Sequence, residues 1–134
     1  MTYWKDSLLV GVPQLDTQHR KLVEIIDKLM GECEHGESRG EIEETLNSII
    51  WHTKEHVRTE ENLQAKYAYP GISAHKRLHA HFIMNLSALA QEFKQTGSNA
   101  VFIGKLNKTL VDWFISHVGD EDKKVGEHIL KAGE

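Results

Sequence analysis

Sulfur, proline and long apolar runs are all scarce in this chain. There is one cysteine, Cys33, so no internal disulfide can form, and zinc sites built on two or more cysteines are excluded within one chain. A lone thiol fits a reducing compartment, and a cytoplasmic location is expected. Only Pro13 and Pro70 can interrupt a helix by ring chemistry. No apolar run nears the roughly 18–20 residues that a membrane span needs. An excess of positive charge is missing too: 16 Lys and Arg stand against 20 Asp and Glu, a net charge of -4. That balance disfavours a nucleic-acid footprint and a polybasic membrane surface. The N-terminus has Asp6 ahead of a short apolar run and no small-residue cleavage site, so no signal peptide is expected.

What is present fits one globular domain. The 134 residues are 40% hydrophobic and 27% charged, enough to bury a core without staples. Histidine is the anomaly, with 9 residues. No two are adjacent, so they are not a purification tag.

The apolar spacing has helical period after Pro13. It predicts a non-helical arm over 1–15 and helices over about 17–32, 39–67, 73–95 and 99–118, with a short C-terminal helix over about 120–131. Ser38, three residues before Glu41, reads as a capping box for the second helix. Ser73 is a candidate cap for the third, and Gly119 a candidate stop for the fourth. Long helices with short connections predict an all-α, antiparallel up-down-up-down bundle.

The core stripe of each helix follows alternating steps of three and four. The first reads Leu15, His19, Leu22, Ile26, Leu29, and the second Leu46, Ile49, Thr53, His56, Glu60, Leu63. The third reads His75, His79, Phe82, Leu86, Leu89, Phe93, and the fourth Ile103, Leu106, Leu110, Trp113, His117. Every helix thus places histidine on its core face, and in an up-down-up-down bundle all of these positions fall at one end. Unpaired imidazoles and a carboxylate in a core cost several kcal/mol, of order ~2–7 for each polar group. A metal removes that cost by coordinating them. The pairs His56/Glu60 and His75/His79 have the i,i+4 spacing that puts both side chains on one face. His117 and Asp122 are five apart, about 140° off on a straight helix. The helix must therefore end or bulge between them for Asp122 to turn inward. Imidazole and carboxylate suit iron, zinc or copper, and without thiolate an iron–sulfur cluster is disfavoured.

At this level the sequence resembles the bacterial hemerythrins, single-domain di-iron oxygen-binding proteins. The resemblance rests on Trp4, on Asp16-Thr17-Gln18-His19, on His56-Val57-Arg58-Thr59-Glu60-Glu61, on Tyr69-Pro70, on His75 and His79, and on Trp113, His117 and Asp122. It implies that His75, His79 and His117 hold one iron, that His19 and His56 hold the other, and that Glu60 and Asp122 bridge them with an oxo or hydroxo group. The first iron is then six-coordinate and the second five-coordinate, leaving one position for dioxygen. Reversible dioxygen binding, not catalysis, is the activity implied. Leu22, Val57, Leu110, Trp113, Phe114 and Val118 are candidates for the wall of the dioxygen pocket, and each would also serve as plain core.

The chain departs from that pattern in places. Val57 stands where the family usually has Phe, Phe114 where Leu is common, and Val125 where Tyr is common. His52 stands where bacterial members often have Tyr; one turn before His56, it is a candidate donor behind the ligands or part of a path to solvent. His81 should face away from the core, and His35 and His128 read as surface residues. Alternatives to oxygen storage or delivery are a di-iron oxidase or peroxidase, an oxygen or redox sensor, and an iron-handling protein. A sensor would need a separate partner, because 134 residues leave no room for a signalling module. No nucleic acid or membrane is expected as a partner, a monomer is the default, and any oxygen-using enzyme partner is unnamed by the sequence.

Overall fold

The structure is a computed structural model and describes residues 3–132. The first two residues of the expected arm lie outside them. Three long helices, α1 (Pro13–Glu34), α2 (Arg39–Lys66) and α3 (Ile72–Thr96), alternate in direction. A fourth rod runs on without a break from α4 (Ala100–Leu106) through a π-helical stretch (Asn107–Phe114), the single turn α5 (Ile115–His117), a second π-helical stretch (Val118–Asp122) and α6 (Lys123–Ala132). With no strand among the described residues, the architecture is the all-α four-helix bundle that the periodicity predicts.

The helix starts show which local signals win. Ser38 caps α2, its hydroxyl accepting from the Glu41 N–H at 3.2 Å. Asn99 does the same for α4, accepting from the Phe102 N–H at 2.8 Å. Ser73 does not cap α3; Gly71 stands at that position and no side chain caps it. Helix α1 begins at Pro13 rather than near residue 17. Proline is well placed there, since a first helical residue needs no N–H partner and its φ is already helical. Asp16, in that first turn, accepts from the backbone N–H groups of Val10 at 2.7 Å and Gly11 at 3.2 Å, which pins the arm. The arm contributes Leu8 and Val10 to the interior, and leaves Leu9 exposed.

The π-helical stretches alter the buried face of the fourth rod. As far as Asp122 its buried residues are Phe102, Leu106, Leu110, Phe114, Val118 and Asp122, each four after the last, with His117 beside them. On a straight α-helix a step of four drifts by about 40°. The wider π turn cancels that drift. Phe114 therefore takes the core position that the ordinary period assigns to Trp113, and Trp113 is left 36% exposed. The same widening corrects the expected role of Gly119. It does not end the helix; it lies within the second π stretch, and α6 follows directly. On α2 the stripe differs by one residue, with Gln64 buried and Leu63 half-buried.

Candidate metal centre

Each side chain that could bind a metal is placed by a helix on the same end of the core. His19 comes from α1, His56 and Glu60 from α2, and His75 and His79 from α3. His117 and Asp122 come from the far part of the fourth rod. All seven are buried, and His19, Glu60 and Asp122 are fully so.

Their atoms form two groups. His75, His79, His117 and Asp122 bring one ligand atom each to within 4.8 Å of one another, and so do His19, His56, Glu60 and Asp122. Asp122 belongs to both. Its Oδ1 lies 2.9 Å from the Nε2 atoms of His75 and His117, and its Oδ2 lies 3.0 Å from His19 Nε2. Glu60 divides in the same way. Its Oε1 lies 2.7 Å from His75 Nε2, and its Oε2 lies 2.9 Å from His56 Nε2. Each carboxylate therefore turns one oxygen to each group. The α2 pair works because residues four apart share a face. The His117 and Asp122 pair works because a π turn brings residues five apart together.

These atoms are close, but several are not aligned as hydrogen bonds. The Nε2 atoms of His75, His79 and His117, Glu60 Oε2 and both Asp122 oxygens are buried without a hydrogen-bond partner. Such groups are costly in a protein interior. A shared cation at each group would satisfy all of them, and an all-nitrogen and oxygen donor set fits iron, zinc or copper.

The ionisation of the metal-free site is consistent with paired charges. Burial pulls the His56 and His75 imidazoles down, but the nearby Asp122 and Glu60 carboxylates overcome it and lift both to about 9. Burial and mutual repulsion push the Glu60 carboxyl up, and His56 and His75 reverse this and hold it below the usual range. Asp122, despite full burial, is held well below its usual value by His117, His19, His56 and His75. His79 is lowered, chiefly by burial.

A small cavity adjoins the site. It is lined by Thr53, His56, Val57, His79, Phe82, Trp113, Phe114, His117 and Asp122. The space open to the centre of a water-sized sphere is about 10 Å³, roughly the room of one water. Of the expected wall residues, Val57, Trp113 and Phe114 line it. Leu22 and Leu110 line a neighbouring void with Phe114, and Val118 is buried core that lines neither. Thr53 and Phe82 were missed as wall residues, although both stand on the core stripes. Trp113 stacks on His117 at 4.9 Å and 9°, and on Phe82 at 4.9 Å and 16°.

The residues behind the ligands differ from expectation. His52 meets the Trp51 ring and opens into a surface groove with Lys21, Lys28 and Glu44, away from the cavity. Gln18 and Glu61 take the supporting role instead, accepting from the Nδ1 of His56 at 2.9 Å and of His79 at 3.0 Å. Both are adjacent in sequence to a ligand-type residue, a signal that could have found them. His35 and His81 are exposed, but His128 is half-buried and donates to the Tyr67 carbonyl at 2.7 Å.

Comparison with known proteins agrees with this geometry. The family model described as "Hemerythrin HHE cation binding domain" matches residues 10–129. The chain belongs to the hemerythrin family. A bacteriohemerythrin of Stenotrophomonas maltophilia is 27% identical over 126 residues, covering 94% of this chain and 80% of its own length. One of Pseudomonas paraeruginosa is 30% identical over 120 residues, covering 89% and 75%. One of Campylobacter jejuni is 27% identical over 129 residues, covering 93% and 92%. The chain is thus a hemerythrin-type domain with histidine and carboxylate groups able to bind metal, in a family whose cofactor is a non-haem iron pair. Among the described residues no helix is long and apolar enough to cross a membrane.

Proposed function

We propose that this hemerythrin-family chain binds dioxygen reversibly at two irons. His75, His79 and His117 would hold one iron, His19 and His56 the other, with Glu60 and Asp122 spanning both and an oxo or hydroxo group as the third bridge. The observation that carries this reading is the split of each carboxylate, one oxygen facing each histidine group.

The ligand count is unequal, three histidines against two, so the His19/His56 side is one donor short. His56 also lines the small cavity. His79 and His117 of the other group line it too, so a pocket with room for about one small molecule touches both sides, the under-supplied one included. When bound, a ferrous pair supplies two electrons and an open coordination position for dioxygen. The chain's own part is to hold the ligands, keep the pocket small and exclude water. Phe82 and Phe114 are buried and Val57 is half-buried, an apolar wall that admits a neutral diatomic more readily than bulk water. Among the described residues, every imidazole and carboxylate that lines the cavity is one of the proposed metal ligands, which favours a carrier over an oxidase. A cytoplasmic, monomeric carrier completes the proposal.

The test is an anaerobic-to-aerobic optical titration of the reduced protein with iron counted in the same sample. Two irons per chain and a visible charge-transfer band that vanishes under vacuum are expected. Direct conversion to the ferric form, with no reversible band, would move the function to an oxidase or redox role. Zinc, or no metal, would remove the di-iron reading.

A further inference from the structure

The two histidine groups are backed differently. His79 Nδ1 lies 3.0 Å from Glu61 Oε2, a carboxylate. His56 Nδ1 lies 2.9 Å from Gln18 Oε1, a neutral amide, and the Gln18 amide N–H donates in turn to Thr59 Oγ1 at 3.0 Å. His19 Nδ1 is buried with no hydrogen-bond partner. So the group with three histidines has an anionic support, and the group with two has a neutral one. The Glu61 side chain is only 24% exposed, so solvent screens this charge less than it would at the open surface.

We infer that Glu61 is a positioning residue that sets an electronic difference between the two metal positions, making the three-histidine position the stronger electron donor and the better home for a ferric ion. This rests on the di-iron reading above. The physical reasoning has two parts. A hydrogen bond at Nδ1 fixes the tautomer, so that the Nε2 lone pair is free to ligate. A carboxylate acceptor draws the Nδ1 proton more strongly than an amide does, which pushes electron density toward Nε2 and raises its basicity as a ligand. A more basic ligand stabilises the higher charge on the metal. Gln18 performs the first task for His56 and lacks the charge for the second. In the one-electron couple, ferric plus one electron gives ferrous, and the electron comes from an electrode or a chemical reductant. The His19/His56 position is then reduced first.

The experiment separates geometry from charge. Glu61→Gln keeps a side-chain oxygen to accept from His79 Nδ1 and removes the charge. Glu61→Ala removes both. Cobalt(II) titration of the metal-free protein gives stoichiometry and stepwise affinity. Redox titration of the iron-loaded protein, followed by electron paramagnetic resonance of the half-reduced state, gives the potentials and the site that stays ferric. Glu61→Gln is expected to bind two metals with little loss and to shift the lower-potential couple upward, about 59 mV for each tenfold loss of ferric preference. Glu61→Ala is expected to weaken one cobalt site by about 10–100-fold. The charge-swapped control, Gln18→Glu, should narrow the gap between the two couples. Unchanged potentials in Glu61→Gln, with two metals still bound, would overturn the inference alone. Failure of the wild-type chain to take two metals would overturn the di-iron reading beneath it.

Discussion

His117 and Asp122 are five residues apart, and His117 Nε2 lies 2.9 Å from Asp122 Oδ1. An α-helix separates such residues by about 140° around its axis. The π-helical stretch Val118–Asp122 removes that separation, as π turns often do at functional sites. Lengthening this stretch by one residue, by inserting an alanine after Gly119, should turn Asp122 away from the histidines, since residues six apart share a face in neither α nor π geometry. The helical signal in circular dichroism should persist while metal content falls from two per chain to one or none. Asp122→Ala should do the same without altering the helix, because both groups share this residue. Two tightly held metals in either variant would show that Asp122 is dispensable.

Metal loading should release protons. Metal ions bind neutral imidazole, and in the metal-free chain His56 and His75 are raised to about 9. Both are therefore charged at pH 7.5. Adding a divalent metal to lightly buffered metal-free protein at that pH should release about two protons per chain, one from each. A pH-stat records this directly, and no release would mean that these imidazoles are already neutral.

The same shifts give the metal-free protein a stability optimum on the acid side of neutrality. A group whose folded value is raised stabilises the fold fully below its unfolded value, 6.5 here, and loses that contribution as pH climbs through about 9. Glu60 and Asp122 are depressed, so their contribution is present above the ordinary values of 4.5 and 3.8 and fades as pH falls below them. The urea midpoint of metal-free protein should thus be highest near pH 6.5 and fall toward pH 9, with His79, lowered by burial, taking some stability away below 6.5. Metal-loaded protein should lack the alkaline decline. A metal-free midpoint that rises between pH 6.5 and 9 would contradict the pairing.

Gly126 carries the docking of the arm. A Cβ there would sit 2.2 Å from the Val10 carbonyl oxygen, a backbone atom that cannot turn aside. Gly126→Ala should destabilise the protein by about 1–3 kcal/mol, the usual cost of forcing extra volume into a packed interior. Gly119→Ala is the contrast. Its Cβ would lie 3.5 Å from a Leu8 methyl, an ordinary contact, and alanine favours helix by about 1 kcal/mol. Chemical unfolding of the two variants should give opposite signs.

Val57 leaves the small cavity narrow but partly open, since it is half-buried where its helix faces the site. Val57→Phe should fill the roughly 10 Å³ of open space and slow the conversion of the reduced, iron-loaded protein to the ferric form. Stopped-flow mixing with aerated buffer measures that rate. An unchanged rate would place the entry path elsewhere, with Trp113, the other cavity residue that reaches solvent, as the next to substitute.

The sequence by itself determined the bundle and the end of it where the polar groups gather. Those follow from local rules: apolar steps of three and four, Ser38 as a cap, and His56/Glu60 and His75/His79 at one helical turn. Periodicity also showed that His117 and Asp122 could meet only across a break or bulge, but not which. The tertiary structure decided that. Backbone hydrogen bonding in the fourth rod widened to π geometry, which put Phe114 inward and Trp113 outward and carried Gly119 through as helix. It also decided which polar groups stand behind the ligands. Gln18 and Glu61 reach His56 and His79 across 38 and 18 residues of sequence, while His52, beside the site in sequence, turns to solvent. Spacing along one helix sets which side chains share a face. Which neighbour they then meet depends on how the helices pack, and that is a property of the whole chain.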